Sequence, residues 1–219
     1  MIRSSLAHQI AATLENWIFQ EAEGLRPGQR IREIELAKKL CTSQTPVREA
    51  LRLLEERGVV LHQPNRGSTV IDLSQKDVNE ILSVRIPLET IALDSARTNV
   101  IGTDSADLIA LLDALSESAD ANDLLSYHER HINFHKHIWR LSGNERLVAT
   151  LERLCTPLWA FYRQRVRQRP DRSLSGRRTH EPLVEFIIAK EKPLLSASEI
   201  TKEHYHDVAG FQSNKVTAE

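Results

Sequence analysis

Residues 41–58, CTSQTPVREALRLLEERG, decide how the rest of the chain is read. They predict a helix that starts near Ser43 or Thr45, with small hydroxyl residues at the N-cap and Pro46 in the first turn. Proline is tolerated there because the N–H it lacks would have no intrahelical partner. Val47, Ala50, Leu51 and Leu54 fall at i, i+3, i+4 and i+7 and make one apolar stripe, and Gly58 is the stop. Off the stripe lie Ser43, Gln44, Thr45, Arg48 and Arg52. A DNA-reading helix needs this division: one face to pack, and short polar and Arg side chains to meet phosphates and base edges. An ordinary amphipathic helix carries the same stripe, so the neighbouring segments have to decide.

Upstream, residues 33–40 form a short helical pattern with Ile34, Ala37 and Leu40 on one side, separated from the next helix by a turn. Before it, residues 5–22 repeat Leu6, Ile10 and Leu14 at helical spacing, and residues 24–28, GLRPG, end that helix. Downstream, residues 59–62 and 68–71 read as strands around the loop QPNRG, whose Pro, Asn and Gly supply turn geometry. Helix, turn, helix and hairpin make a winged helix. Arg32, Asn65, Arg66 and Gly67 join the reading helix as candidate DNA contacts, with Arg66 at the wing tip.

The 219 residues suffice for two domains with buried cores, and 41% hydrophobic with 27% charged residues is the composition of a folded globular chain. Residues 1–70 carry ten Lys/Arg against eight Asp/Glu, so placement of the arginines, not bulk charge, carries the DNA argument. Cys41 and Cys155 have no metal-finger spacing and read as reduced thiols. No segment has the apolar length of a signal peptide or a membrane span, so a soluble, cytoplasmic protein is expected.

The fold class expected is mostly α: a winged helix-turn-helix over residues 1–72 and an all-α six-helix bundle over 75–213. The first bundle helix, from residue 75 to about 99, turns Val78, Ile81, Leu82, Leu88 and Ile91 inward with Pro87 as a kink. Thr103 or Asp104 caps the second, and residues 122–141, 145–168, 178–190 and 194–211 give the other four. The arginine-rich run over 163–178 reads as a solvated helix end and loop. Seven of the nine histidines follow Tyr127. His131 and His135 share the inward face of Leu124, Tyr127, Phe134 and Ile138, whereas His137 points away and His128 is marginal. His180 shares a face with Leu183, Val184 and Ile187, and His204 one with Ile200, Val208 and Phe211, while His206 falls off it. A single inward histidine is more often a hydrogen-bonded core residue than a ligand. Four together, His131, His135, His180 and His204, make a candidate metal site inside a helical bundle.

The run from Leu25 through Pro27, Gly28, Arg30, Ile31 and Glu33 to the TPVREAL segment, Gly58 and the PNRG loop resembles the DNA-binding domain of GntR-type bacterial repressors. Two departures stand out: Cys41 replaces the family's usual Gly between the helices, and Gln44 its usual Arg. The Gln44 change alters the expected half-site, because Gln suits adenine and Arg suits guanine. Residues 75–213, with R85-x-x-L88-E89-x-x-A92 and F134-H135-x-x-I138-W139-x-L141-S142-G143-N144, resemble the FCD effector domain of the FadR branch, and six helices are similar to its shorter, VanR-like subgroup. The resemblance implies a divalent metal held by three histidines, matched by His135, His180 and, at slightly longer spacing, His204. His131 stands where the family has an acid, so the set becomes all-nitrogen and favours zinc or nickel. The resemblance also places Arg85 near the effector cavity, as a candidate for a carboxylate effector, with a salt bridge to Glu89 one turn on as the plain alternative.

Together these readings imply a homodimeric, ligand-responsive regulator that binds palindromic operator DNA and a small carboxylate effector. A metal-dependent hydrolase is the alternative, with Glu129 the nearest carboxylate to serve as a base. It lacks an H-E-x-x-H run. A purely architectural DNA binder would not need the inward polar cluster.

Overall fold

The computed structural model describes residues 5–20, 22–63, 67–100, 105–167, 174 and 176–209, those at 160, 163–167 and 206–209 as backbone only. The α-helices are α1 (Leu6–Phe19), α2 (Glu33–Lys39), α3 (Gln44–Glu56), α4 (Gln75–Val100), α5 (Ala106–Asp120), α6 (Leu124–Leu141), α7 (Glu145–Arg167), α8 (Arg177–Ile188) and α9 (Ala197–Ala209). The strands are β1 (Arg30–Ile31), β2 (Val60–Gln63) and β3 (Gly67–Val70). The contacts divide the chain into two units, Met1–Ser74 with Arg153–Gln168, and Gln75–Glu152 with Arg169–Glu219.

In the first unit, α1 buries Ala7, Ile10, Ala11, Leu14 and Ile18 and packs against α3. The α3 stripe Val47, Ala50, Leu51 and Leu54 is buried as the spacing predicts. Gly58 ends α3 in a Schellman motif: its N–H donates to the Glu55 carbonyl and that of Val59 to the Leu54 carbonyl. Gly58 has a φ of 71°, and a Cβ there would lie 2.8 Å from Pro157 Cγ on α7. Only glycine satisfies both demands. The wing sheet has the order β1-β3-β2, antiparallel throughout, with Val60 opposite Val70 and Arg30 opposite Thr69.

In α2 the buried residues are Leu36 and Ala37, while Ile34, expected inward, is 56% exposed. Seven residues give only two turns of helix, and the Leu36–Ala37 edge meets the α1 and α3 core. β1 has two residues, too few for any alternation to be visible in sequence.

In the second unit, α4 packs on α6, α8 and α9, and α5 on α6 and α8. The core gathers Leu93, Ala96, Leu108, Leu112, Leu115, Phe134, Ile138, Leu183 and Ile187. The inward stripe of α4 is not the one its apolar residues suggest. Ile91 is 52% exposed, and Arg85 and Glu89 are buried. The buried row runs Val78, Leu82, Arg85, Glu89, Ala92 and Ala96, with an ion pair inside it. The last helix starts at Ala197, not near 194, because Ser196 and Glu199 close a capping box: Glu199 N–H donates to Ser196 Oγ and Ser196 N–H to Glu199 Oε2. Leu194 therefore lies outside the helix and is exposed. The expected caps Thr103 and Asp104 lie outside the described residues, and α5 begins after Ser105, which makes no side-chain cap.

Candidate functional site

Two assemblies of polar side chains result, one in each unit. On the first, Ser43, Gln44, Thr45, Arg48 and Arg52 are all exposed along α3, opposite its buried stripe. Ser43 is the N-cap residue by backbone but makes no side-chain cap bond. Arg48 is engaged by Glu33 of α2 through Nε and Nη2 at 3.1 and 3.0 Å. Arg32 pairs with Glu35 on the surface. Glu33, Arg48, Leu51, Arg52, Glu55, His62 and Ser68 line a cleft of about 280 Å³ between α3 and the wing strands. Gly67 opens β3 with a φ of 79°; Asn65 and Arg66 lie outside the described residues.

In the second unit the inward histidines converge. One ligand nitrogen each from His131, His135 and His180 lies within 4.8 Å of the others. His204 falls outside that close set, but its ring centroid is 4.8 Å from that of His180 and 5.2 Å from that of His135. Phe134 stands edge-on to both His135 and His180, walling the cluster with hydrocarbon. His180 is set by α8: its Nδ1 bonds the Gly176 carbonyl at 2.8 Å, which places the proton on Nδ1 and leaves Nε2 with a lone pair. His204 Nδ1 makes the equivalent bond to the Thr179 carbonyl at 2.8 Å. Arg97 of α4 holds the far end of α8 by donating to the carbonyls of Phe186 and Ala189.

The chemistry of these donors fits a metal ion. Nε2 of His135 and of His180 is buried without a hydrogen-bond partner, and such atoms call for a ligand. Burial first, and the neighbouring His204 next, push His180 down to about 3. His131 and His135 are held well below the ordinary imidazole value, again by burial before the adjacent rings. Neutral imidazoles are the state that metals require. His137 does not join: it is half-buried on another side of α6, and burial lowers its pKa more mildly. The side chain of His206 lies outside the described residues.

Arg85 stands beside the cluster, and its positive charge acts on His131, His135 and His180 alike. It is buried and donates from Nε to Glu89 at 2.9 Å, so the helical ion pair is formed. Two residues here escaped the sequence reading. Tyr205 donates to the second oxygen of Glu89 at 2.5 Å, and its ring lies 4.6 Å from the Arg85 guanidinium carbon. His128, read as marginal, is buried. Tyr205 follows His204 directly, so its neighbour was the only signal available; nothing in a hydropathy pattern marks an aromatic that bridges an ion pair.

Comparison with known proteins places both units. The model of the bacterial regulatory proteins of the gntR family matches residues 6–70, and that of the FCD domain matches residues 80–207. The chain belongs to the GntR family and carries an FCD domain. The HTH-type transcriptional regulator YdhC of Bacillus subtilis is 33% identical over 134 residues, 58% of this chain and 57% of its own. A probable D-xylose utilization operon transcriptional repressor of Paenarthrobacter nicotinovorans is 33% identical over 141 residues, 64% of this chain and 62% of its own. The chain thus spans about three fifths of these curated relatives. Among solved structures, McbR/YncC of E. coli shares the fold, with a TM-score of 0.69 and 24% identity over 95% of this chain and 97% of that one. A GntR regulator from Rhodococcus sp. RHA1 does so with a TM-score of 0.64 and 22% identity over the same shares. The relatives are regulators, which favours the regulator over the hydrolase. Among the described residues, no helix of this GntR-family chain is long and apolar enough to cross a membrane.

Proposed function

We propose that this GntR-family chain is an effector-responsive repressor that binds palindromic operator DNA as a homodimer in the cytoplasm. Ser43, Gln44, Thr45, Arg48 and Arg52 of α3 read the major groove, and Arg32 and the wing residues Asn65, Arg66 and Gly67 contact the backbone and minor groove. The winged helix corresponds to residues 1–72 and the sensor to 75–213, in the manner of the VanR-like subgroup. The convergence of His131, His135 and His180, with two buried nitrogens lacking partners, carries the sensor reading.

Those three histidines, joined by His204, hold a divalent ion for which zinc or nickel is the best match, since no carboxylate is in the set. When bound, such an ion would supply a Lewis-acidic centre to attract a carboxylate. Arg85 reinforces the local positive charge, and Phe134, edge-on to His135 and His180, covers the cluster with hydrocarbon. Effector binding biases an equilibrium between two placements of the reading helices and so changes operator affinity.

Elemental analysis of untagged protein, followed by calorimetric titration with zinc and nickel, tests the sensor. We expect metal to raise the melting temperature and a chelator to lower it. His180→Ala should lose most of that response, while operator binding without effector survives. Absence of metal together with no binding at micromolar concentrations would refute the metal site. For the DNA half, Arg48→Ala should abolish sequence-specific binding; an unchanged affinity would refute the assignment of α3.

A further inference from the structure

Glu33 is the partner of Arg48 on the reading surface. Both Arg48 Nε and Arg48 Nη2 donate to one oxygen, Glu33 Oε2. The pair joins the two helices of the helix-turn-helix. Its acidic half is the more sheltered, with 25% of the Glu33 side chain exposed against 58% of that of Arg48. Glu33 also begins α2, where the positive end of the helix dipole stabilises a carboxylate. The carboxylate is therefore the more anchored partner, and more than half of the Arg48 side chain is left exposed.

We propose that Glu33 is a positioning residue that sets which edge of Arg48 meets a base. The inference rests on the reading of α3 as the base-contacting helix. With Nε and one N–H of Nη2 occupied by Glu33, the guanidinium offers Nη1 and the second N–H of Nη2. Two parallel donors of that kind match O6 and N7 of guanine. An arginine without this anchor swings to any nearby phosphate, which gives affinity but no sequence information. Glu33 therefore suppresses non-specific binding twice: it occupies the guanidinium, and its own charge opposes the phosphates. The same geometry predicts one guanine per half-site as the base under Arg48, independent of the base under Gln44.

The test uses the full chain to select duplexes from a random-sequence pool. Affinities are then measured for the selected duplex, for the same duplex with each guanine changed to adenine, and for a scrambled duplex. Wild type should lose affinity at one guanine per half-site. Glu33→Gln should lose about tenfold of that discrimination, within the range of one bidentate base contact, while binding the scrambled duplex more tightly. Glu55→Gln is the control. Glu55 lines the same cleft but is not the acceptor of Arg48, so this change should raise scrambled binding and leave the guanine preference intact. Should Glu33→Gln fold poorly, Arg48→Lys, which keeps the charge without the planar fork, should show the same loss. Retention of the guanine preference in Glu33→Gln would overturn the role of Glu33 alone. A wild-type protein that selects no sequence would overturn the α3 reading and the inference with it.

Discussion

Cys41 shows what one residue can do to this fold. It closes α2 with a φ of 50°, its N–H on the Lys38 carbonyl and that of Thr42 on the Ala37 carbonyl. This is the left-handed position that glycine normally fills, and a Cβ makes it unfavourable by roughly 1 kcal/mol. Cys41→Gly should therefore stabilise the protein by somewhat less than about 1 kcal/mol, because glycine also loosens the unfolded chain. Urea denaturation followed by helical ellipticity would measure it, and a lower midpoint in the variant would show that the turn holds no strain. Gln44 is a second residue whose identity matters more than its class. It is exposed as the first residue of α3, and Gln pairs with adenine N6 and N7. Gln44→Arg should shift the selected half-site toward guanine at one position, and a pool selection yielding the parental sequence would remove Gln44 from the reading surface.

At the scale of elements, sequence legibility tracked the contrast between faces. α1 and α3 bury simple apolar stripes, so their spacing located both helices and, except for Leu6, which is 53% exposed, their inward sides. α4 was legible as a helix but not in rotation, because Arg85 and Glu89 fill inward positions that hydropathy assigns to solvent. β1 was invisible at two residues, while the Ser196–Glu199 box that starts α9 was present in the sequence but outweighed by Leu194 and Leu195. Helical spacing alone brought out His131, His135, His180 and His204, yet it left the buried His128 marginal and could not show that His204 stands slightly apart from the closest three. Their packing has a consequence for acid stability. In the metal-free protein His131, His135 and His180 stay neutral well below the ordinary value of 6.5, with His180 titrating at about 3. The unfolded chain takes up these protons first, near 6.5, so stability rises with pH across that window. It should be undiminished above 6.5 and fall as the pH drops from 6.5 toward 3. Melting temperature against pH in the presence of a chelator checks this, and His180→Gln should flatten the profile. A wild-type profile that is level down to pH 4 would mean that the buried rings are solvated in solution.

In the proposed function the whole molecule presents two reading helices at once. A single winged helix covers too little DNA for useful specificity, and a palindromic site is matched by a two-fold symmetric protein. The second unit carries apolar surface suited to that pairing. Val84 and Ile91 on α4 are 50% and 52% exposed. Seven residues apart, they lie on one side of the helix, with the half-buried Leu88 between them. Their exposure is the counterpart of the inward ion pair: the register that buries Arg85 and Glu89 turns these residues out. Exposed apolar faces of this kind mark interaction sites, and we assign this one to the second copy of the proposed homodimer. We expect the protein to sediment as a dimer, and Val84→Glu combined with Ile91→Glu to yield a folded monomer with unchanged metal response. That monomer should still bind a single half-site weakly but lose the gain from joining two half-sites, which linkage makes roughly a hundredfold to ten-thousandfold. Sedimentation of wild type as a monomer both alone and on operator DNA would refute the dimer. A double variant that remains dimeric would move the interface away from α4.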